Sequence, residues 1–172
     1  MRFASLAALL MAGPALAQHA PPGHHTPYAG LEARPIKALS EQQIADLQAG
    51  RGMGLALAAE LNGYPGPMHV LELADRLGLT AEQRARTEAL FAAMREEAIG
   101  LGEAVIRREA ELNRLFAERT ADLTGLHAVV AEIGLKQASL RVVHLKYHLA
   151  MRELLTPEQT ATYQALRGYG AR

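Results

Sequence analysis

Cysteine and tryptophan are both missing from this 172-residue chain, and all aromatics together make up only 5% of it. Without cysteine there is no disulfide to staple a small fold and no thiolate for catalysis or metal capture, so stability has to come from packing. With so few aromatic faces, stacking on bases or sugars is a poor basis for function. Net charge is absent as well. The 18 basic residues balance 18 acidic ones, no block of one sign stands out, and nothing points to nucleic acid or anionic lipid as a partner. No alternating run of Val, Ile or Thr marks a strand.

Catalytic signatures are missing too. His144-x-x-x-His148 lacks the Glu beside its first His that a zincin needs, because Leu145 stands there. No Glu-x-x-His exists to build a di-iron bundle site, and there is no nucleophile elbow or phosphate-binding glycine loop. The expectation is a protein that is not an enzyme.

What is present begins with a secretion signal. Arg2, the apolar run from Phe3 to Met11, Gly13-Pro14 and Ala15-Leu16-Ala17 read as charged region, hydrophobic region and cleavage site, so residues 1–17 are expected to be removed before Gln18. The run is shorter than the roughly 20 apolar residues of a membrane span. Export to the periplasm follows as the expected localisation. Residues 18–39 hold four of the eight prolines and His19, His24 and His25, and read as a disordered arm. Residues 40–168 read as one helical domain.

Within that domain a first helix is expected from Ser40 to about Leu61, opened by a Ser40/Gln43 capping box and carrying Gly50, Gly52 and Gly54 inside it. The breaker cluster Asn62 to Pro67 turns the chain, and a short helix from Met68 to Leu77 is closed by Gly78. Two copies of a pentapeptide then stand out, Leu79-Thr80-Ala81-Glu82-Gln83 and Leu155-Thr156-Pro157-Glu158-Gln159. Each has a Thr placed as N-cap and a Gln at N3 able to reach back to it, which makes each a helix start. Between them lie two long periodic segments. Phe91, Met94, Ala98, Leu101, Val105, Leu112 and Leu115 form a seam interrupted at Arg108, on a helix reaching about Glu118. Leu126, Val130, Ile133, Gln137, Leu140, His144, Tyr147, Met151 and Leu154 form another. A bend from Thr120 to Gly125 joins the two helices as antiparallel neighbours, and a last helix runs from Pro157 to Arg167. The fold class is therefore all-α, a long hairpin with shorter flanking helices. A hairpin cannot enclose its own apolar surface completely, which predicts a homodimer.

A secretion signal, an all-helical hairpin and paired Leu-Thr-x-x-Gln boxes together resemble the Spy/CpxP family of periplasmic proteins, over roughly Ser40 to Leu166. The resemblance implies a cradle-shaped dimer that holds unfolding envelope proteins without ATP, or one that represses a membrane-bound stress sensor. In the related CnrX and ZraP branch it implies binding of heavy metals such as zinc, copper, nickel or cobalt. Leu79, Thr80, Gln83, Leu155, Thr156 and Gln159 carry the motif, with a structural role. Two features depart from the family pattern: the chain is formally neutral where the chaperones tend to be basic, and Tyr147 stands four before Met151 where the metal branch has His.

Two functional readings follow. The first is a chaperone-like binding protein. The second is a metal sensor or buffer using His144, His148 and Met151, since two imidazoles at i, i+4 share a helix face and can chelate Zn, Cu or Ni. Further ligands would have to come from His69, His127, Glu60, the arm or a second copy. The plain alternative has His144 half-buried in the seam and His148 at its edge. Met53, Met68, Met94 and Met151 read mainly as adaptable core.

Overall fold

The computed structural model describes residues 27–169, so the expected signal and residues 18–26, including His19, His24 and His25, lie outside the described residues. Six α-helices and no strand occur among the described residues: α1 Glu41–Gln48, α2 Leu57–Glu60, α3 Pro67–Glu72, α4 Ala81–Ala117, α5 Leu123–Leu154 and α6 Pro157–Arg167. The all-α class and the long hairpin expected from the sequence are both seen.

Local chemistry sets the ends of the hairpin. Thr80 and Thr156 each accept from the N3 amide, and Gln83 and Gln159 each accept from the N-cap amide, at 3.0–3.1 Å throughout. At the far end Arg119 takes a left-handed conformation (φ 57°) and Asp122 caps α5 by accepting from Gly125 N at 2.7 Å. The bend thus falls a few residues before its expected position.

Between these ends α4 and α5 pack along a shared line. Leu39 and Leu47 join Met94, Ala98, Val105, Leu140, Val143 and Tyr147 in one core, while Val70, Leu77, Met151, Leu155 and Tyr163 form a second at the base of the hairpin. Polar ties cross the same interface. Glu97 accepts from Lys146 and from the Tyr147 hydroxyl, each at 2.6 Å, and Arg108, the interruption in the expected seam, pairs with Glu132 at 2.6 Å. Burial, with the Glu97 carboxylate adding to it, pushes the Tyr147 hydroxyl up to about 12.

The first expected helix ends early. Instead of running to Leu61, α1 stops at Gln48; the chain turns through Gly50 (φ 66°), Met53 (φ 43°) and Gly54 (φ 78°) before the single turn of α2. These glycines break the helix because their backbone occupies the left-handed region that side-chain-bearing residues avoid. The close approach is real as well: α1 ends across α4, where a Cβ added at Gly102 would stand 2.4 Å from the Leu47 carbonyl oxygen. The helix expected to reach Leu77 likewise stops at Glu72 and continues as turns to Gly78 (φ 61°). Order also begins earlier than expected: within the segment read as a disordered arm, a 3-10 turn spans Leu31–Ala33, and Ile36 and Leu39 pack against the α4–α5 core.

Along α5 the buried line also differs at its outer end. Val129 is buried and Val130 exposed, the reverse of the expected stripe, and Gln137 is exposed. A straight helix of about 3.6 residues per turn drifts away from a strict seven-residue repeat, so a stripe extrapolated from the base lands one residue off at the tip.

Candidate functional site

Both pentapeptides meet in space. Gln83 Nε2 donates to Gln159 Oε1 at 2.9 Å and Gln159 Nε2 donates to Gln83 Oε1 at 3.0 Å. The second hydrogen of each amide reaches the other box's entry: Gln83 Nε2 to the Leu154 carbonyl at 3.1 Å, Gln159 Nε2 to that of Leu77 at 3.4 Å. Leu79 and Leu155 pack in the base core beside this clasp. The six motif residues are thus structural, and their cross-pairing fixes the base of the hairpin on which the site stands.

Above that base a cavity of about 620 Å³ opens between the glycine loop, α2, the start of α3 and the facing surfaces of α4 and α5. Met53, Leu57 and Met68 stand at its mouth, each more than 40% exposed, and Phe91 and Met94 line it from α4. His144 and His148 line it from α5, at 2% and 8% exposure. The expectation that His148 lies at the seam's edge is therefore corrected. The turn at Tyr64 to Gly66 covers it: His148 Nδ1 lies 2.7 Å from the Tyr64 carbonyl, and a Cβ at Gly66 would come within 2.9 Å of the ring. Since a carbonyl only accepts, Nδ1 holds the proton in this bond.

Glu60 is the acid of the cavity and is 5% exposed. It accepts from the Tyr163 hydroxyl and, at 3.2 Å, from Gly66 N; His148 Nδ1 and Arg167 Nε each stand 3.7 Å away. His69 Nδ1 lies 3.3 Å from Glu60 Oε1, near enough for attraction but out of line for a hydrogen bond. Burial works against the Glu60 charge, yet the contacts with His69 and Tyr163 and the charges of His69 and His148 outweigh it and hold the carboxyl at about 2. Burial and this carboxylate push the Tyr163 hydroxyl up, keeping it a donor. His144 has no such partner. Its Nε2 is buried with no hydrogen bond, and burial, helped by the charge of His148, pushes its imidazole below the ordinary value.

The structure thus brings His144 and His148 to one cavity and separates Met151 from them, fully buried in the base core against Val70 and Tyr163. Of the further ligands considered, Glu60 approaches both His148 and His69, whereas His127 is exposed near the hairpin tip. No group of three or more His, Asp or Glu side chains is arranged to hold a metal ion among the described residues. Tyr163 and Arg167, which complete the Glu60 network, carry no signal in the sequence, since only the return of α6 to the base brings them there.

A two-helix hairpin clasped at its base by paired capping boxes, with an apolar cavity beside it, defines an all-helical hairpin domain. The model of the LTXXQ motif family matches residues 67–167, and the chain belongs to that family, which includes the Spy/CpxP-type periplasmic proteins. No curated protein and no solved structure matches the chain.

Proposed function

We propose that the protein is a periplasmic, non-enzymatic binding protein that works as a homodimer and holds apolar segments of unfolding envelope proteins without ATP. The carrying observation is the exposed apolar rim of the cavity. Met53, Leu57 and Met68 stand in water around one opening, with Leu61 57% exposed one turn beyond Leu57. Such a cluster costs solvation free energy unless something covers it, and flexible methionines suit a surface that accepts many sequences. Family membership supports the periplasmic setting at the level of the family.

The dimer rests on a second surface. Leu135, Val142 and Leu149 repeat every seven residues on the outer face of α5, each at least 55% exposed, with the smaller Ala138 between the first two and Ala131 one turn before Leu135. A heptad seam of this kind fits another helix with the same seam, run antiparallel so that large residues face small ones.

An aggregation assay with a chemically reduced client tests the function. Suppression at equimolar dimer, weakened by Leu57→Ser with Met68→Ser, is expected; no suppression by the unmodified protein would sink the reading.

The metal-sensor reading has the unpaired Nε2 of His144 in its favour, yet the donors among the described residues do not complete a site, because His148 Nδ1 is committed to Tyr64 and Met151 lies in another core. Calorimetric titration with Zn, Cu and Ni, beside the His144→Ala/His148→Ala double variant, decides it. Sub-micromolar binding lost in the variant would revive a metal role.

A further inference from the structure

The rim accounts for the mouth of the cavity but not for its interior. At about 620 Å³ the space lies within the range of roughly 300–1,000 Å³ typical of small-molecule sites and is lined mainly by apolar side chains. A surface that only held extended polypeptide would need the rim and not this depth.

Its few polar groups are specific. His144 turns its Nδ1–Cε1 edge toward Gly52 in the cavity lining while its Nε2 is buried without a partner, so Nδ1 is the ring nitrogen that a ligand atom could meet. Gly52 keeps that imidazole approachable: a Cβ there would already touch the ring at 3.8 Å, and a longer side chain would stand over it. The charges at the cavity are unevenly committed. Glu60 is surrounded by Tyr163, Gly66 N and three basic side chains, and Arg51 pairs with Asp46 at 2.6 Å. Arg95 is exposed, bonds only the Ala49 carbonyl at 3.3 Å, and has no carboxylate in ion-pair reach among the described residues. The uncommitted charge at the opening is positive.

We propose that this cavity is a binding site for a small anionic amphiphile, an organic carboxylate or sulfonate with an apolar body: the body lies among Met53, Met68, Phe91 and Met94, a polar atom meets His144, and the head meets Arg95. The methionines let the site adapt to bodies of different shape. The Arg95 cation selects the sign of the head. This assignment does not depend on client capture, because it shares only Met53 and Met68 with the rim and rests on Phe91, Met94, His144 and Arg95, which that reading does not use.

The test uses anilinonaphthalene sulfonate, which carries an aromatic body, an N–H and a sulfonate, titrated by fluorescence into the full mature protein. Saturable binding of one probe per chain is expected, weakened about tenfold or more by Gly52→Leu and about three- to tenfold by Arg95→Gln, and unchanged by Leu123→Ser at the exposed tip of the hairpin. Probe binding that does not saturate, or that is the same in Gly52→Leu, overturns the proposal by placing the dye on exposed apolar surface. The unmodified protein supplies a second readout free of folding effects. The ring Cε1–H signal of His144, assigned by comparison with His144→Gln, should shift on adding the probe; an unmoved signal at saturation also overturns it. Normal probe binding alongside failed aggregation suppression would sink the client reading alone, and the converse result would sink the ligand site alone.

Discussion

Gln83 and Gln159 exchange their amide hydrogen bonds, each donating to the other's oxygen at 2.9–3.0 Å, although they stand 76 residues apart. Each oxygen also accepts from its own N-cap amide, so both side chains have two donors and their oxygens fully used. A carboxylate cannot take either place, because it has no hydrogens for the partner's oxygen or for the carbonyls at the entry of the opposite box.

Gln83→Glu and Gln159→Glu should each destabilise the fold by about 1–3 kcal/mol, and the double variant should lose more than the two losses combined, because two carboxylates would then face each other where the amides now exchange bonds. Urea denaturation of the four proteins measures this. Additive losses would mean that the two amides act independently and that the clasp is only a geometric coincidence.

Two glycines two positions apart on α4 should respond to alanine with opposite signs. Gly100→Ala should stabilise by about 0.5–1 kcal/mol, because a Cβ there meets nothing within 4 Å and alanine favours the helix. Gly102→Ala should destabilise by about 1–3 kcal/mol, because its Cβ would strike the Leu47 backbone at 2.4 Å and push α1 off α4. Melting temperatures that move the same way would contradict the crossing of α1 over α4.

Stability should fall in mild acid partly through His144. Its folded-state pKa is lowered by burial, so the unfolded chain binds the proton more readily; the contribution is fully present above the unfolded value of about 6.5 and is lost as pH falls from there toward the folded value. Replacing it by the apolar His144→Leu should reduce the difference in unfolding free energy between pH 7.5 and pH 5.5. An undiminished difference would assign the acid sensitivity to other groups.

Leu135→Lys combined with Val142→Lys should convert a dimer to monomer in sedimentation without altering the helical circular dichroism, since both residues are about 60% exposed and belong to neither core. A dimer that persists would move the interface to another face.

The parts of this structure that could be read in the sequence are those decided within a few residues. The three capping boxes at Ser40, Thr80 and Thr156 all form, because Ser or Thr at N-cap and Gln at N3 satisfy each other without help from the rest of the chain. The long helices follow from periodicity, and their antiparallel packing from the short link between them. The loop at Gly50 to Gly54 reads as helix in the sequence, because only a backbone angle distinguishes a glycine tolerated in a helix from one that ends it. The site was half legible. His144 and His148 share a cavity as their spacing implied, but the burial of His148 depends on a turn more than 80 residues away, and no periodicity records that. Met151 looked like a third member because it lies one turn on; the side of the helix it occupies faces α3 and α6 instead.

The clasp ties the hairpin at one end only. Toward the tip no comparable tie exists among the described residues, the last cross-hairpin ion pair being Arg108 with Glu132, and Phe116 and Leu123 stand in water at 58% and 75% exposure. The hairpin is therefore a cantilever. Amide exchange should be slowest next to Gln83 and Gln159 and quicken steadily outward, and a load applied at the tip would splay the two helices before it disturbed the anchored base.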